Sequence, residues 1–494
     1  MPERRPTPSS DPAPLPLVCD LDGTVTRVDT IAELSVRFVK KHPATGLFRF
    51  AAAATRGRAA LKDMLYRSVG AEMPVERLPY ARAVLEAPFF RDAPSVALVS
   101  GSAAPLVTRI SDHLGVFTGQ SDGSTAGENL IGQAKADRLV ARYPDGFDYV
   151  GDSMADLPVW QAARRAYAAN ARPEVIRKAR EAGIDLEVVS EHAGTIAPLR
   201  KGMRPHQWAK NLLLFAVPAL NLPYAQWSWI PLLLLAFLSF GLIASATYLI
   251  NDMLDIDDDR AHPTKRLRPF ASGALGIKEG IVAIVVLGGA GMGIGIALGP
   301  AFASMAGGYA LLSLLYSLYL KRMLIVDVLM LSTLFCWRIL AGTVLLGLQT
   351  NAWFMAAMGA FFLSLAFGKR QIELQRKART MVEAGADAPG DGTIAGRGYV
   401  LADAPVVMAF GIATGVIAPV FTLVYGLLAT DSIIDHEFNA FAVAAILTFW
   451  SGRFWVLVNR GAVDDDPIIF AITDRISAVA LALLSGVLIL EQVV

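Results

Sequence analysis

The sequence predicts two fold classes in one chain: a soluble, doubly wound α/β domain followed by an all-α domain of nine membrane spans. Three observations carry this. At 494 residues the chain exceeds one ordinary domain. Hydrophobic residues make up 54% of it and charged residues 18%, which is too apolar for an average soluble protein. The excess is also uneven: Lys, Arg, Asp and Glu recur as far as Leu199, whereas long apolar runs dominate beyond Trp208. A net charge of +1 without a basic tract gives no reason to expect nucleic acid as a partner.

Residues 1–16, rich in Pro, Ser and charge, read as a disordered tail and not as a secretory signal. The soluble domain (17–190) is therefore expected on the cytoplasmic side, joined by a linker (191–203) to the membrane domain (204–494). Residues 15–19 form an apolar run that ends in Asp20-Leu21-Asp22-Gly23-Thr24. Two more such runs follow: 96–99 leads into Ser100-Gly101-Ser102, and 147–150 into Gly151-Asp152-Ser153, with Asp156 beyond. Helix-like stretches between them imply a parallel sheet, whose ligands sit beyond the C-terminal strand ends. The helix-like stretch 30–90 is expected to cap that edge. Cys19 and Cys336 fall in apolar runs and read as buried residues, neither a disulfide nor a metal site.

The residue types at the strand ends suit phosphate chemistry. A carboxylate can attack phosphorus, a second one two residues on can move a proton, and further carboxylates bind Mg²⁺. The ordered set resembles the haloacid-dehalogenase superfamily across residues 17–189. That resemblance implies Asp20 as nucleophile, Asp22 as general acid/base, and Ser100 and Lys135 as phosphate ligands. It implies a Mg²⁺ site from Asp20, Asp22 and Asp152, supported by Asp156.

The nine expected spans are 211–227, 229–250, 278–298, 301–320, 325–346, 352–367, 404–428, 438–458 and 476–490. The first is interrupted by Pro218 and Pro223. Basic residues collect after every second span: Arg260, Lys265, Arg266 and Arg268; Lys321 and Arg322; Lys369, Arg370, Arg376 and Lys377; Arg453 and Arg460. Arg200, Lys201, Arg204 and Lys210 precede the first span. The positive-inside rule then puts the soluble domain and all these connections on the cytoplasmic side of the inner membrane.

After the second span stands Asn251-Asp252-Met253-Leu254-Asp255-Ile256-Asp257-Asp258-Asp259. On a continuous helix Asp252, Asp255 and Asp259 share one face, where their repulsion calls for a cation such as Mg²⁺ bridging to a pyrophosphate. Lys265, Arg266 and Arg268 follow as phosphate-binding cations. The motif resembles the first Asp-rich motif of the UbiA superfamily, a family with nine spans, from Arg204 to the C-terminus. The second Asp-rich motif of that family is missing, and Gly368-Lys369-Arg370-Gln371-Ile372-Glu373 stands in its place. Arg204-Pro205, Gln207-Trp208, Lys210-Asn211, Tyr248-Leu249, Asn251-Asp252, His262-Pro263-Thr264-Lys265-Arg266, Tyr316 to Lys321 and Gly368-Lys369-Arg370 look like the branch that acts on decaprenyl phosphate. That likeness implies phosphoribosyl transfer from phosphoribosyl pyrophosphate to a polyprenyl phosphate. It makes Asp252, Asp255 and Asp259 catalytic metal ligands, with Lys210, Asn211, Asn251, Lys321, Lys369 and Arg370 at the substrates. Asp327 and Arg338, ionisable residues inside one span, read as donor-site and lipid-phosphate ligands or as a structural polar contact.

Three functional readings stay open at this level. One is the phosphoribosyltransferase, with the soluble domain removing the 5-phosphate of its product. The second is a prenyltransferase with a prenyl pyrophosphate donor and an independent or inactive phosphatase domain. The third is a transporter or scaffold, which the Asp-rich motif disfavours.

Overall fold

The computed structural model describes residues 14–493 apart from 44, 221–225, 385–391, 395–396, 429–436 and 464–465. Most of the expected tail and part of the first expected span lie outside the described residues. The chain divides into two compact units, Met1–Gly202 with Asp252–Ala283, and Met203–Asn251 with Ile284–Val494.

In the first unit six strands form one parallel sheet: β1 (Leu17–Cys19), β2 (Val96–Ala103), β3 (Asp122–Ser124), β4 (Asp148–Gly151), β5 (Arg165–Ala171) and β6 (Leu186–Glu191). Their order is β3-β2-β1-β4-β5-β6. Both faces are covered, which is why the strands read as unbroken apolar runs. Leu17, Cys19, Val96 and Leu98 enter one core, while Val18, Ala97 and Val99 enter the other. Cys19 is a free, buried thiol and packs as an apolar side chain. The strand order reverses at β1, and the crevice of a doubly wound sheet opens at that reversal, beyond Asp20.

Between β1 and β2 the chain forms helices Thr30–Lys41, Gly46–Ala54 and Arg58–Leu65, a π turn and shorter pieces. Asp29 caps the Thr30–Lys41 helix by accepting from the Ile31 and Ala32 amides, and Lys40 and Lys41 suit its C-terminal end. The segment Asp252–Ala283 adds a short helix Ile256–Ala261, a 3-10 turn Lys265–Leu267 and the start of helix Ile277–Ala297.

Among the described residues, seven helices are long and apolar enough to cross a membrane: Trp229–Leu254, Ile277–Ala297, Pro300–Leu318, Val326–Leu346, Ala352–Glu383, Leu401–Leu428 and Glu437–Asn459. The chain is a multi-pass membrane protein. The described residues leave the expected count of nine unconfirmed. Its first span opens as a 3-10 run, Pro205–Phe215, and continues as the short helix Ala216–Leu220. Pro218 there removes a backbone donor that a regular helix needs. The ninth expected span falls in helix Arg475–Val493, of which Arg475–Leu488 is an apolar stretch. In the second unit the backbones approach closely where small residues allow it: a Cβ on Gly342 would lie 1.9 Å from the Leu214 carbonyl oxygen.

The connection expected after residue 367 is no loop. Helix Ala352–Ala384 runs through it, because Lys, Arg, Gln, Glu and Leu over 369–377 are strong helix formers. The continuous face expected for the acidic motif is also interrupted. The helix from Trp229 stops at Leu254, and Asp255, with φ −99° and ψ 14°, caps the next helix.

Candidate active sites

The first site lies at the C-terminal edge of β1. Asp20 accepts from Lys135 Nζ at 2.6 Å. The same nitrogen donates to the Tyr149 hydroxyl at 2.6 Å, and that hydroxyl donates to Asp156 Oδ1 at 2.6 Å. Asp156 Oδ2 accepts from the Asp152 and Ser153 amides and from Ser153 Oγ. Asp22 is held separately: Oδ1 accepts from Thr30 N at 2.7 Å and Oδ2 from Ser102 Oγ at 2.6 Å. Ser100, fully buried, accepts from Ser102 N at 3.1 Å. Gly23 has φ +80°, and a Cβ there would lie 2.2 Å from Asp152 Oδ2, so only glycine lets the loop after β1 meet this carboxylate.

Ligand oxygens of Asp20, Asp152 and Asp156 lie within 4.8 Å of one another. The expected metal set is thereby altered, because Asp22 turns to Thr30 and Ser102 and stands outside this cluster. Burial pushes Asp20 up to about 7, with Asp156 and Asp22 adding to the shift and Lys135 opposing it. Burial likewise raises Asp22 to about 6 and Asp152 well above its usual range. Three crowded carboxylates, two of them buried, suit a divalent cation.

A pH dependence follows. A raised carboxyl pKa favours the folded state below about pH 4, where the unfolded group is also protonated, and that advantage is lost as pH rises through about 7. Mg²⁺ binding to the ionised cluster offsets the loss, by about 2.7 kcal/mol at a hundredfold excess over Kd. Mg²⁺ should therefore raise the melting temperature of the protein more at pH 8 than at pH 5. Equal increments at both would contradict the cluster as a metal site.

The Asp-rich segment of the first unit is built around Arg268. Its Nη1 donates to Asp252 Oδ1 at 3.0 Å and to both oxygens of Asp259, at 3.0 and 2.9 Å. Asp252 and Asp259 are buried, and burial with the Asp252 charge lifts Asp259 to about 6 against the pull of Arg268. Two of the three carboxylates expected to gather a metal cation, Asp252 and Asp259, thus share an arginine. Lys265 and Arg266 are exposed on the 3-10 turn.

In the second unit the expected polar residues fall into separate groups. Lys210 Nζ and Lys369 Nζ both donate to Asp466 Oδ2, at 3.3 and 3.1 Å. Arg338 donates to Asn211 Oδ1 at 3.0 Å and to the Tyr309 hydroxyl at 2.7 Å. Lys321 donates to Asn251 Oδ1 at 3.1 Å. Arg370 and Asp327, both 0% exposed, pair at 3.2 Å, and Tyr399 donates to Asp327 at 2.7 Å. Asp327 and Arg338 thus each make polar contacts with other segments, and Arg370 faces a carboxylate and not solvent.

Sequence reasoning missed several of these groups. Tyr149 and Ser102 sit inside strands, where they look like filler. Lys62, buried, donates to Asn129 Oδ1 at 2.6 Å and to the Gly101 carbonyl, from a helix that carried no motif. Asn170 on β5 has φ 56° and donates to the Gly23 carbonyl at 3.1 Å. Asp466 had a visible signal, the run Asp464-Asp465-Asp466 before Pro467.

Two family models match the chain in succession. The haloacid dehalogenase-like hydrolase model matches residues 17–161, and the UbiA prenyltransferase family model matches 212–457. An uncharacterized protein, y4nM, of Sinorhizobium fredii is 35% identical over 97% of this chain and 91% of its own length. A decaprenyl-phosphate phosphoribosyltransferase of Mycobacterium tuberculosis is 34% identical over 39% of this chain and 65% of its own length. A UbiA homolog from Archaeoglobus fulgidus, solved bound to GPP and Mg²⁺, aligns with 59% of this chain and 99% of its own at 16% identity and a TM-score of 0.45. The chain belongs to the UbiA prenyltransferase family and carries a haloacid dehalogenase-like hydrolase domain ahead of its membrane helices.

Proposed function

We infer that the chain transfers phosphoribose from phosphoribosyl pyrophosphate to a polyprenyl phosphate, and that its soluble domain removes the 5-phosphate to leave polyprenyl-phosphoryl ribose. The observation that carries the transfer is the pair Lys210 and Lys369 on Asp466, cations near the place of the family's second carboxylate motif. A donor that adds a ribose phosphate to its pyrophosphate, and an acceptor that is itself a phosphate, both suit cations better than carboxylates. The relatives named for phosphoribosyl transfer support the same reading.

The acceptor phosphate oxygen attacks the anomeric carbon of the ribose, and the bond from that carbon to the pyrophosphate breaks. The acceptor is already ionised, so no general base is required. Lys265 and Arg266 hold phosphate oxygens as charge shifts to the leaving group, and Lys210 and Lys369 serve as substrate-phosphate ligands. Asp252, Asp255 and Asp259 would hold Mg²⁺; Asp252 and Asp259 already converge on one cationic nitrogen, and the ion would supply neutralisation of the pyrophosphate. Arg338, Asn211 and Tyr309 form a buried polar group suited to the lipid phosphate, and Lys321 keeps Asn251 in place.

In the soluble domain Asp20 attacks the 5-phosphorus while Asp22 protonates the departing ribose oxygen. Asp22 then takes a proton from the water that cleaves the aspartyl-phosphate. Ser100 and Lys135 hold the phosphate oxygens. Asp20, Asp152 and Asp156 would hold Mg²⁺, which offsets the charge gathered there. The helical stretch 30–90 serves as the cap that selects the substrate. The basic connections support a soluble domain on the cytoplasmic side of the inner membrane, and covalent linkage raises the effective concentration of one domain's product for the other to about millimolar.

Asp466 favours a second reading, in which a carboxylate beside Lys369 serves a prenyl pyrophosphate donor. Competition between radiolabelled phosphoribosyl pyrophosphate and a radiolabelled prenyl pyrophosphate decides between them. Label entering the lipid product from the first donor supports the proposal, and label entering product only from the second replaces it.

A further inference from the structure

The Asp-rich segment carries more carboxylates than Arg268 gathers, and the Thr30–Lys41 helix of the soluble domain meets two of the others, Asp257 and Asp258. Arg260 donates through Nη1 and Nη2 to both carboxylate oxygens of Glu33, the first at 2.9 Å, and through Nε to the Ala271 carbonyl at 2.9 Å. Glu33 is 2% exposed and Arg260 8%, so this two-pronged pair is closed off from water. Arg37 links to it, donating to Glu33 at 3.2 Å and to Asp257 Oδ2 at 3.0 Å. Lys40 Nζ donates to the Leu254 carbonyl at 2.6 Å and stands 3.9 Å from Asp258.

The location of these contacts matters. Leu254 is the last residue of its helix, and its carbonyl is one of those a helix end leaves without an internal partner. Lys40 supplies that partner at the break between Asp252 and Asp259. Arg260 immediately follows Asp259, and Asp257 stands two residues before it. The break and the short helix that together set the spacing of the two carboxylates on Arg268 are therefore gripped from the soluble domain. A second contact lies further along: Lys278 donates to Asp29 at 2.7 Å, and a Cβ on Gly273 would meet the Arg27 side chain at 2.8 Å. A buried, bidentate guanidinium–carboxylate pair fixes geometry in a way that screened surface pairs do not.

We propose that the Thr30–Lys41 helix of the soluble domain positions the Asp-rich segment for its chemistry, with Glu33 the central positioning residue, acting through Arg260. This rests on the reading of Asp252 and Asp259 as transferase carboxylates. The soluble domain then has a second role beside hydrolysis, as the brace of the segment that handles the pyrophosphate.

The test compares full-length wild type with Glu33→Gln, Arg37→Gln and the exchange Glu33→Arg with Arg260→Glu. Amide hydrogen exchange over residues 252–268 is read first, then the Mg²⁺ concentration for half-maximal transfer. Hydrolysis of p-nitrophenyl phosphate reports the integrity of the soluble domain. In Glu33→Gln exchange over the segment should rise about tenfold or more, because the buried Arg260 loses its counter-charge. Half-maximal Mg²⁺ should rise with it, p-nitrophenyl phosphate hydrolysis should hold, and the charge exchange should recover part of the protection. Should Glu33→Gln fail to fold, Arg37→Gln, which releases Asp257 and leaves the Glu33–Arg260 pair in place, gives the same reading over residues 256–261. Unchanged exchange in the folded variants overturns the brace. Absence of phosphoribosyl transfer in wild type counts against the proposed function alone, since the exchange measurement needs no donor.

Discussion

Asp20→Asn should abolish release of inorganic phosphate, by about 10³-fold or more, as expected when a nucleophile is removed. The same variant should leave transfer to lipid intact. Its lipid product should keep the 5-phosphate that wild type removes. The asymmetry follows from the sites: Asp20 serves the Lys135–Tyr149–Asp156 network at the β1 edge, whereas the carboxylates assigned to transfer gather on Arg268. The substitution is close to isosteric, and the Lys135 contact can be kept through the Asn carbonyl oxygen, so loss of folding is not the expected cause. If wild type and Asp20→Asn give the same 5-phosphorylated lipid, the soluble domain acts on something else and the two-step scheme falls.

Asp252→Asn and Asp259→Asn should each reduce transfer by about 10²–10³-fold, the usual cost of losing one preorganised electrostatic contact at a developing charge. Phosphate hydrolysis at the soluble site should be unaffected, which separates this loss from general misfolding. Either variant leaves Arg268 one carboxylate, so its guanidinium keeps a partner. Undiminished transfer by both variants in the presence of EDTA would remove the carboxylates and the metal from the mechanism together.

Much of the soluble fold was legible because a sheet covered on both faces writes itself as apolar runs ending in polar turns. Leu17-Val18-Cys19 before Asp20 and the run before Asp152 show this, and the strand order then brings both ends to one crevice. The Asp-rich motif was legible as a cluster and misleading as a shape, since periodicity assumes an unbroken helix and the chain breaks at Asp255. Lys369 and Arg370 looked equivalent as neighbours. They differ because successive helical residues point about 100° apart: Arg370 is turned to Asp327, while Lys369 reaches Asp466. Tyr149, Asn170 and Glu33 could not be assigned from local pattern, because each acts through a partner distant in sequence. The Glu33–Arg260 pair, 227 residues apart, is the clearest case.

Mass spectrometry of the lipids formed when the purified full-length protein receives phosphoribosyl pyrophosphate, a polyprenyl phosphate and Mg²⁺ tests the central claim most directly. The account predicts polyprenyl-phosphoryl ribose from wild type, with pyrophosphate and inorganic phosphate released in equal amounts, and polyprenyl-phosphoryl ribose 5-phosphate from Asp20→Asn. A polyprenyl phosphate recovered without any added pentose from wild type, under conditions where the soluble domain hydrolyses p-nitrophenyl phosphate, would contradict it.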